Sequence, residues 1–271
     1  MIATERLYPI RRPLAALFAG ASVALLGGLI GLGGAEFRLP LLIAVFALYP
    51  HRAIRINLIA FATLAMSAAA RLEFLGAADV SSLRVEIVSM LVGGMIAAWI
   101  GAGYLRRIPK AHIMTVIALL LAVTAGLLAV EALLPGTNWS ALPYDPILRT
   151  IVGVAAGLVV GAISSLLGVA GGEFIIPILI FMFGADIRTA GTASVLISIP
   201  IVLTGVARHW LTGHYRSQTM FIYLVLPMSI GSLLGAAAGS YLAASAPTDA
   251  LRLMLAAILA ASAYKLWSKD H

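Results

Sequence analysis

Ten apolar segments follow one another along the chain, and only short polar gaps separate them. Most of the ten reach the roughly 20 residues that a membrane-spanning helix needs. The two that do not, 37–49 and 174–184, each follow a cluster of glycines. The other segments run over residues 14–32, 53–70, 84–105, 111–134, 148–168, 190–207, 217–244 and 249–267. This pattern predicts an all-α polytopic membrane protein.

The second half of the chain repeats the first when it is shifted back by 137 residues. Chance matches between two apolar sequences fall at Leu and Ala, whereas here Glu, Pro and Arg recur in register, which indicates a duplication. The matching pairs are Gly31 and Gly168, Gly34 and Gly171, Glu36 and Glu173, Phe37 and Phe174, Pro40 and Pro177, Arg71 and Arg208, Gly94 and Gly231, and Tyr104 and Tyr241. The prediction is a single membrane domain with a first repeat (1–134), a connecting loop (135–147) and a second repeat (148–271).

Each repeat holds five apolar segments, and an odd number of crossings gives the two halves inverted topology in the bilayer. If both termini are cytoplasmic, the inside gaps hold 12 Lys and Arg residues and the outside gaps hold 5, which agrees with the positive-inside rule. This count requires residues 14–49 and 148–184 to enter the membrane and return, either as two crossings or as a re-entrant hairpin. Segment 37–49 is about 20 Å long against a core of roughly 30 Å, which favours a hairpin-like element. Three transmembrane helices then follow it in each half.

Composition excludes an ordinary soluble domain, because 62% of the residues are hydrophobic and 11% are charged, against about 25% charged in soluble proteins. The net charge of +7 lies in the short gaps between apolar segments, so the positive-inside rule explains it better than nucleic-acid binding does. The chain has no cysteine, which excludes disulfides and thiolate metal sites. His209 and His214 have no further clustered ligand, so we expect no metal and no cofactor.

Two glycine-rich stretches carry the candidate chemistry. The first elbow, residues 28–40, reads GLIGLGGAEFRLP, and the second elbow, residues 165–177, reads SLLGVAGGEFIIP. A helix that starts after such glycines directs free N–H groups and a dipole of roughly +0.5 charge at its N-terminus. Two such starts meeting near the midplane predict an anion site at the repeat interface. The backbone predicted to bind is Gly33, Gly34, Ala35, Gly171 and Gly172; the alternative is that these glycines only allow close helix packing.

Glu36 and Glu173 follow the glycines directly. A charged carboxylate is costly inside the bilayer, so both are candidates for carrying a coupled proton. The alternative is that each caps its helix N-terminus. Because a charged Glu would repel an anion, the proton role requires the anion to bind when the carboxyl is neutral. Arg38 has Ile175 as its counterpart, and it either pairs with Glu36 or contacts the anion.

Other polar residues lie on the segments that follow the elbows. Asn57 and Ser194 correspond to each other at the 137-residue offset and are the predicted side-chain contacts of the substrate. The alternative for such residues is interhelical hydrogen bonding. Arg71 and Arg208 end matching segments and are candidates for attracting an anion at the two mouths. Snorkelling of both arginines to the membrane interface is the favoured alternative.

A glycine-rich stretch followed closely by a proline, present twice in a chain of this kind, resembles the TauE/SafE family of anion exporters. The resemblance covers nearly the whole chain and is strongest at Gly31 to Pro40 and at Gly168 to Pro177. It implies a secondary transporter of the bacterial cytoplasmic (inner) membrane that handles sulfite, sulfoacetate or other organosulfonates. Ala35 and Ala170 interrupt the family's usual run of three glycines, which puts the size of the substrate in doubt.

Three functions are compatible with these observations. The first is a proton-coupled exporter of a small organic or sulfur-containing anion that works by alternating access. The second is an anion channel of the same fold. The third is a membrane-embedded enzyme, which the absence of HExxH, G-x-S-x-G and acidic metal motifs disfavours, so we predict no catalytic residues. The expected partners are the small anion and the lipid bilayer, with no nucleic acid; a homodimer is a further hypothesis.

Overall fold

A computed structural model describes residues 13–32, 38, 42, 46, 61–75, 80–104, 122, 125, 126, 129, 142–167, 170–211 and 221–267. These residues form helices and contain no strand, which confirms the all-α prediction. The helices are α1 (Pro13–Ile30), α2 (Phe61–Leu75), α3 (Arg84–Tyr104), α4 (Pro146–Leu167), α5 (Gly172–Phe181), α6 (Ile187–Leu211), α7 (Leu226–Ser245) and α8 (Thr248–Trp267). A 3₁₀ turn, Val80–Leu83, precedes α3, and a π-helical turn, Phe221–Val225, precedes α7.

Five stretches within the described residues are long and apolar enough to cross a membrane. They are Pro13–Ile30, Val80–Ile100, Pro146–Ser164, Ile187–Gly205 and Ile222–Ser245. Large apolar side chains such as Phe18, Trp99 and Leu234 are exposed on these stretches. Lipid is the solvent in which such a surface is stable. The predicted segments 37–49 and 111–134 lie almost entirely outside the described residues.

The short helix α5 differs from the long helices in length and in burial. It has ten residues and is therefore about 15 Å long, half of a roughly 30 Å hydrocarbon core. Eight of its ten residues are buried, so apolar side chains surround it on nearly every side. A helix that is apolar all round belongs in the interior of a protein. Its length agrees with the prediction that segment 174–184 is too short to cross the core alone, and the hairpin-like form of residues 148–184 stays a prediction.

The ends of the helices follow the 137-residue offset. Helix α1 ends at Ile30 and α4 ends at Leu167, while α3 begins at Arg84 and the π turn before α7 begins at Phe221. The helix contacts show the same correspondence between the halves. Helix α1 packs on α7 as α4 packs on α3, and α2 packs on α7 as α6 packs on α3. Helices α2 and α6 contact each other between these pairs. The inverted orientation of the two halves in the bilayer stays a prediction.

Along α3 and α7 the offset between the halves is 138 residues and not 137. A Cβ added to Gly231 would collide with the carbonyl oxygen of Leu17, and a Cβ added to Gly93 would collide with that of Val154. Since Leu17 and Val154 are 137 residues apart, Gly93 holds the place of Gly231, and the ungapped pairing of Gly94 with Gly231 is wrong by one residue. The π-helical turn before α7 explains the shift, because a π turn holds one more residue than an α turn.

Candidate functional site

The first elbow begins with a sharp end to α1. Gly31 has a φ of +94°, a conformation that suits glycine and terminates the helix. The N–H groups of Gly31 and Leu32 both donate to the carbonyl oxygen of Gly27, at 2.8 and 2.9 Å. A Cβ added to Gly31 would collide with the backbone of Gly191 in α6. Glycine is therefore required at this turn for its backbone conformation and for its close approach to α6.

The second elbow begins α5 with another left-handed glycine. Gly171 has a φ of +81° and serves as the N-cap of α5. The N–H groups of Phe174 and Ile175 donate to its carbonyl oxygen, both at 3.1 Å. The N–H groups of Gly172 and Glu173 lie in the first turn, where a helix has no partners of its own for them. The second elbow thus presents two backbone donors at the positive end of a helix dipole.

The two elbows contact each other at Gly172. A Cβ added to Gly172 would lie 3.0 Å from Leu32 Cα, 3.1 Å from the Leu32 carbonyl oxygen and 3.1 Å from Ser194 Oγ. The start of α5, Leu32 of the first elbow and the side chain of Ser194 therefore lie close together. Four other residues predicted for the site lie outside the described residues: Gly33, Gly34, Ala35 and Asn57.

Two buried hydroxyls make no hydrogen bond in the described part of the chain. Ser194 and Ser198 are 0% and 1% exposed, and neither Oγ has a partner among the described residues. The alternative role of Ser194 was a hydrogen bond to another helix. No such bond is observed among the described residues. Ser198 was not among the predicted contacts. Its spacing of four residues from Ser194 places both on one side of α6 and could have identified it.

Glu173 lies in the first turn of α5 and is buried. Its carboxyl group makes no hydrogen bond to another described residue, so capping of the α5 N-terminus by this side chain is not observed. A buried carboxyl beside free N–H groups remains compatible with a proton-carrying role. Its counterpart, Glu36, lies outside the described residues.

Arg71 is buried, and the snorkelling interpretation is wrong for it. Its side chain is 0% exposed, and all three guanidinium nitrogens donate hydrogen bonds. The acceptors are Thr192 Oγ1 at 3.1 Å and the carbonyl oxygens of Gly28 at 2.7 Å, Leu29 at 3.2 Å and Arg188 at 3.1 Å. Because the last carbonyls of a helix lack partners within it, Arg71 completes the end of α1 and joins it to α6. The role of Arg71 in attracting an anion stays a prediction. The side chain of Arg208 is not among those that the structure describes, so its predicted role is unchanged.

Arg38 is 4% exposed and lies between α2 and α7. Its Nη2 donates to Thr63 Oγ1 at 3.1 Å and to Ser232 Oγ at 2.7 Å. Farther along the same two helices the hydroxyls of Ser67 and Ser240 lie 3.4 Å apart. We call these five residues the polar seam. Pairing of Arg38 with Glu36 involves a residue outside the described ones and stays a prediction.

Arg71, Arg149 and Arg188 are three of the five residues that the charge count places outside, and the protein itself engages all three. Arg149 pairs with the buried Glu86 and donates to the carbonyl oxygen of Phe183 at 3.1 Å. Arg188 donates to the carbonyl oxygen of Ala246 at 2.7 Å. These side chains pair with or cap groups of the protein, so they are less available to lipid headgroups than the charge count assumes. Within the described residues, no group of three or more His, Cys, Asp or Glu side chains could hold a metal ion.

The class that these observations define is a polytopic α-helical membrane protein with a buried polar junction between two glycine elbows. The sequence model of the family described as sulfite exporter TauE/SafE matches residues 15–266, nearly the whole chain. The chain belongs to this family, which confirms the resemblance and makes the protein a membrane transporter of the sulfite exporter type. Searches of curated proteins and of solved structures give no significant match.

Proposed function

We propose that the protein is a secondary transporter that exports a small sulfur-containing or organic anion, such as sulfite, sulfoacetate or another organosulfonate. The observation that carries the proposal is the contact of Gly172 with Leu32 beside the unpartnered hydroxyl of Ser194. Backbone donors, a helix dipole and a buried hydroxyl converge there at a break in the helical structure. Irregular backbone at membrane depth is tolerated where protein buries it or where it lines a cavity.

The anion would bind through neutral donors. The N–H groups of Gly172 and Glu173 and the hydroxyl of Ser194 would donate to its oxygens. The duplication predicts that Gly33, Gly34, Ala35 and Asn57 supply a matching set from the first elbow. A site between two inverted halves can open to either side in turn as one half moves against the other, which is alternating access.

Proton coupling is assigned to Glu173 together with Glu36. An anion is attracted more strongly when a neighbouring carboxyl is neutral, so protonation and anion binding favour each other. Release of the proton on the other side then favours release of the anion. The homodimer, the bacterial inner membrane and the cytoplasmic position of both termini stay predictions.

The first test is anion flux in proteoliposomes that contain Gly172→Ala. The added methyl group would press on Leu32 and Ser194 at about 3 Å, so we expect saturable sulfite flux to fall by at least about tenfold, or roughly 1.4 kcal/mol. Gly126→Ala is the matched control, because a Cβ there meets nothing within 4 Å. Equal flux in the two variants would contradict the proposed site. Flux that does not saturate in the wild type would indicate a channel, and chemical turnover of the anion without flux would indicate an enzyme.

The second test is Glu173→Gln, which removes the titrating group at similar volume. We expect the variant to fold, to retain downhill anion exchange and to lose flux driven by a proton gradient. Asp249→Asn is the control, since Asp249 is an exposed acid at the start of α8. Unchanged proton-driven flux in Glu173→Gln, alone and combined with Glu36→Gln, would remove both residues as proton carriers.

A further inference from the structure

The proposed anion site contains hydrogen-bond donors but no positively charged donor among the described residues that form it. The donors are two backbone N–H groups and the hydroxyls of Ser194 and Ser198, both fully buried. Ser198 lies one helical turn from Ser194, so the two hydroxyls extend the site along α6. Their oxygens lack partners in the described structure, which distinguishes them from the paired hydroxyls of the polar seam.

Among the described side chains, the charged groups on the elements around this site are committed elsewhere or carry the wrong sign. Arg71 on α2 donates to four oxygens, and Arg188 at the start of α6 donates to Ala246. Arg38 donates to Thr63 and Ser232 between α2 and α7. Glu173 on α5 is acidic, as is Glu36 in the first elbow, which lies outside the described residues. These residues therefore supply no cation that would pair with a second negative charge.

We propose that this site selects monoanions over dianions and that Ser198 is a second hydroxyl contact of the bound anion. The inference rests on the proposed function and names the charge class of its substrate. The cost of removing an ion from water rises with the square of its charge, so a dianion costs roughly four times as much as a monoanion of equal size. The attraction of fixed dipoles rises only in proportion to the charge. Neutral donors in a buried site therefore favour an –SO₃⁻ group with a single charge.

This preference separates anions that otherwise look alike. Methanesulfonate is a monoanion at every accessible pH, and sulfate is a dianion. Sulfite is a dianion at alkaline pH and takes up a proton to become hydrogen sulfite on the acid side of neutrality. The transported form of sulfite is therefore hydrogen sulfite. Sulfoacetate carries a second charge on its carboxylate and is expected to bind more weakly than methanesulfonate.

The experiment is calorimetric titration of the purified protein with methanesulfonate, sulfite and sulfate at acid and alkaline pH. We expect sulfite affinity to fall at alkaline pH by at least about tenfold more than methanesulfonate affinity does, and sulfate to bind at least about tenfold more weakly than methanesulfonate. Methanesulfonate also controls for the protein, because a titrating group such as Glu173 would change its affinity as well.

Variants connect the preference to the two hydroxyls. Ser198→Ala should weaken methanesulfonate binding by at least about tenfold, the loss of one hydrogen bond to a charged ligand. Ser245→Ala, at the exposed end of α7, should leave it unchanged. Sulfate binding as tight as methanesulfonate, parallel pH dependence of the two ligands, or normal affinity in Ser198→Ala would overturn the inference. Absence of both binding and flux for every anion would instead overturn the proposed function, and the inference with it.

Discussion

The two sides of the central helix pair, α2 and α6, differ in chemistry although the two halves of the chain match at the 137-residue offset. On one side α2 meets α7 through the polar seam, where Arg38 donates to Thr63 and Ser232. On the other side α6 meets α3 with Ile175 in the place of Arg38 and Pro200 in the place of Thr63. There a Cβ on Gly94, the structural counterpart of Ser232, would collide with the side chain of Ile201.

The difference shows that a buried arginine and its acceptors belong together as one set. A guanidinium at membrane depth is stable only with polar partners, and hydroxyls left without it would lack a donor. The second half has neither the arginine nor the hydroxyls that would accept from it at the corresponding positions. Its short helix α5 is held by apolar packing, whereas the first short segment is held at Arg38 by directional hydrogen bonds. Four substitutions test this comparison.

The largest effect is expected from Ile175→Arg, which places the charge in the half that has no counterparts of the Thr63 and Ser232 hydroxyls. Ile175 is 0% exposed within the apolar core, so the guanidinium would be buried without partners among the described residues. We expect a loss of at least about 3 kcal/mol in the free energy of unfolding. Thermal unfolding in detergent measures it, with Ile175→Met as the control of similar volume. A midpoint equal to that of the control would contradict the comparison.

Arg71→Met should rank second. It removes the donor for the carbonyl oxygens of Gly28, Leu29 and Arg188. We expect the free energy of unfolding to fall by about 2–3 kcal/mol and not by the sum of all the bonds, because other groups can partly replace the donor. Arg71→Lys should restore only part of the loss, since an ammonium cannot reach all four acceptors with fork geometry. Comparing the thermal midpoints of Arg71→Met and Arg208→Met then shows whether Arg208 stabilises the end of α4 as Arg71 stabilises the end of α1. A fully stable Arg71→Met protein would refute the assigned role.

A moderate effect is expected from Thr63→Val in the polar seam. The change keeps the shape and removes one acceptor of Arg38, at about 1–2 kcal/mol in unfolding free energy. In a protein that already carries Arg38→Met, Thr63→Val should lower the free energy of unfolding much less than it does in the wild type. A double-mutant cycle should therefore give a coupling energy of about 1 kcal/mol. Additive effects in the cycle would mean that the hydrogen bond contributes nothing to stability.

The smallest effect is expected from Ser67→Ala. Its hydroxyl lies 3.4 Å from that of Ser240, a long separation, and hydrogen bonds between membrane helices average about 0.6 kcal/mol. Thr204→Val is the matched change in the second half, where the hydroxyl donates to Pro200 of its own helix at 2.7 Å. Chemical denaturation in mixed micelles should show a loss below about 1 kcal/mol for each. A loss above that of Thr63→Val would mean that the Ser67 hydroxyl stabilises the polar seam more than the Arg38 acceptor does.

Hydrophobic pattern located the described helices closely, because lipid selects for apolar length. Segment 249–267 became Thr248–Trp267, and segment 84–105 became Arg84–Tyr104. The pattern placed the ends of α6 at 190 and 207, whereas the helix runs over Ile187–Leu211. Hydropathy falls at polar residues such as Arg208, but backbone hydrogen bonding continues through them.

The candidate site was harder to predict from sequence. Glycine spacing identified the elbows, since a left-handed turn leaves a mark in the sequence at Gly31 and Gly171. The burial of Arg71 could not be read in the same way, because its acceptors are carbonyl groups, which every residue carries. Ser198 was not predicted as a contact, because a serine in an apolar helix has the same pattern whether its hydroxyl is paired or free; its only signal in the sequence is the four-residue spacing from Ser194.

The π-helical turn Phe221–Val225 shows how an added residue can act far from its own position. In a loop, an extra residue is absorbed locally and leaves the following element unchanged. Within a helix it rotates everything downstream by about 100° relative to the unaltered copy. If the two halves arose by the predicted duplication, the added residue gave α7 a new inward face, including Ser232, without mutating the residues on that face. Deleting a single codon within 221–225 would turn the face back and carry Ser232 away from Arg38.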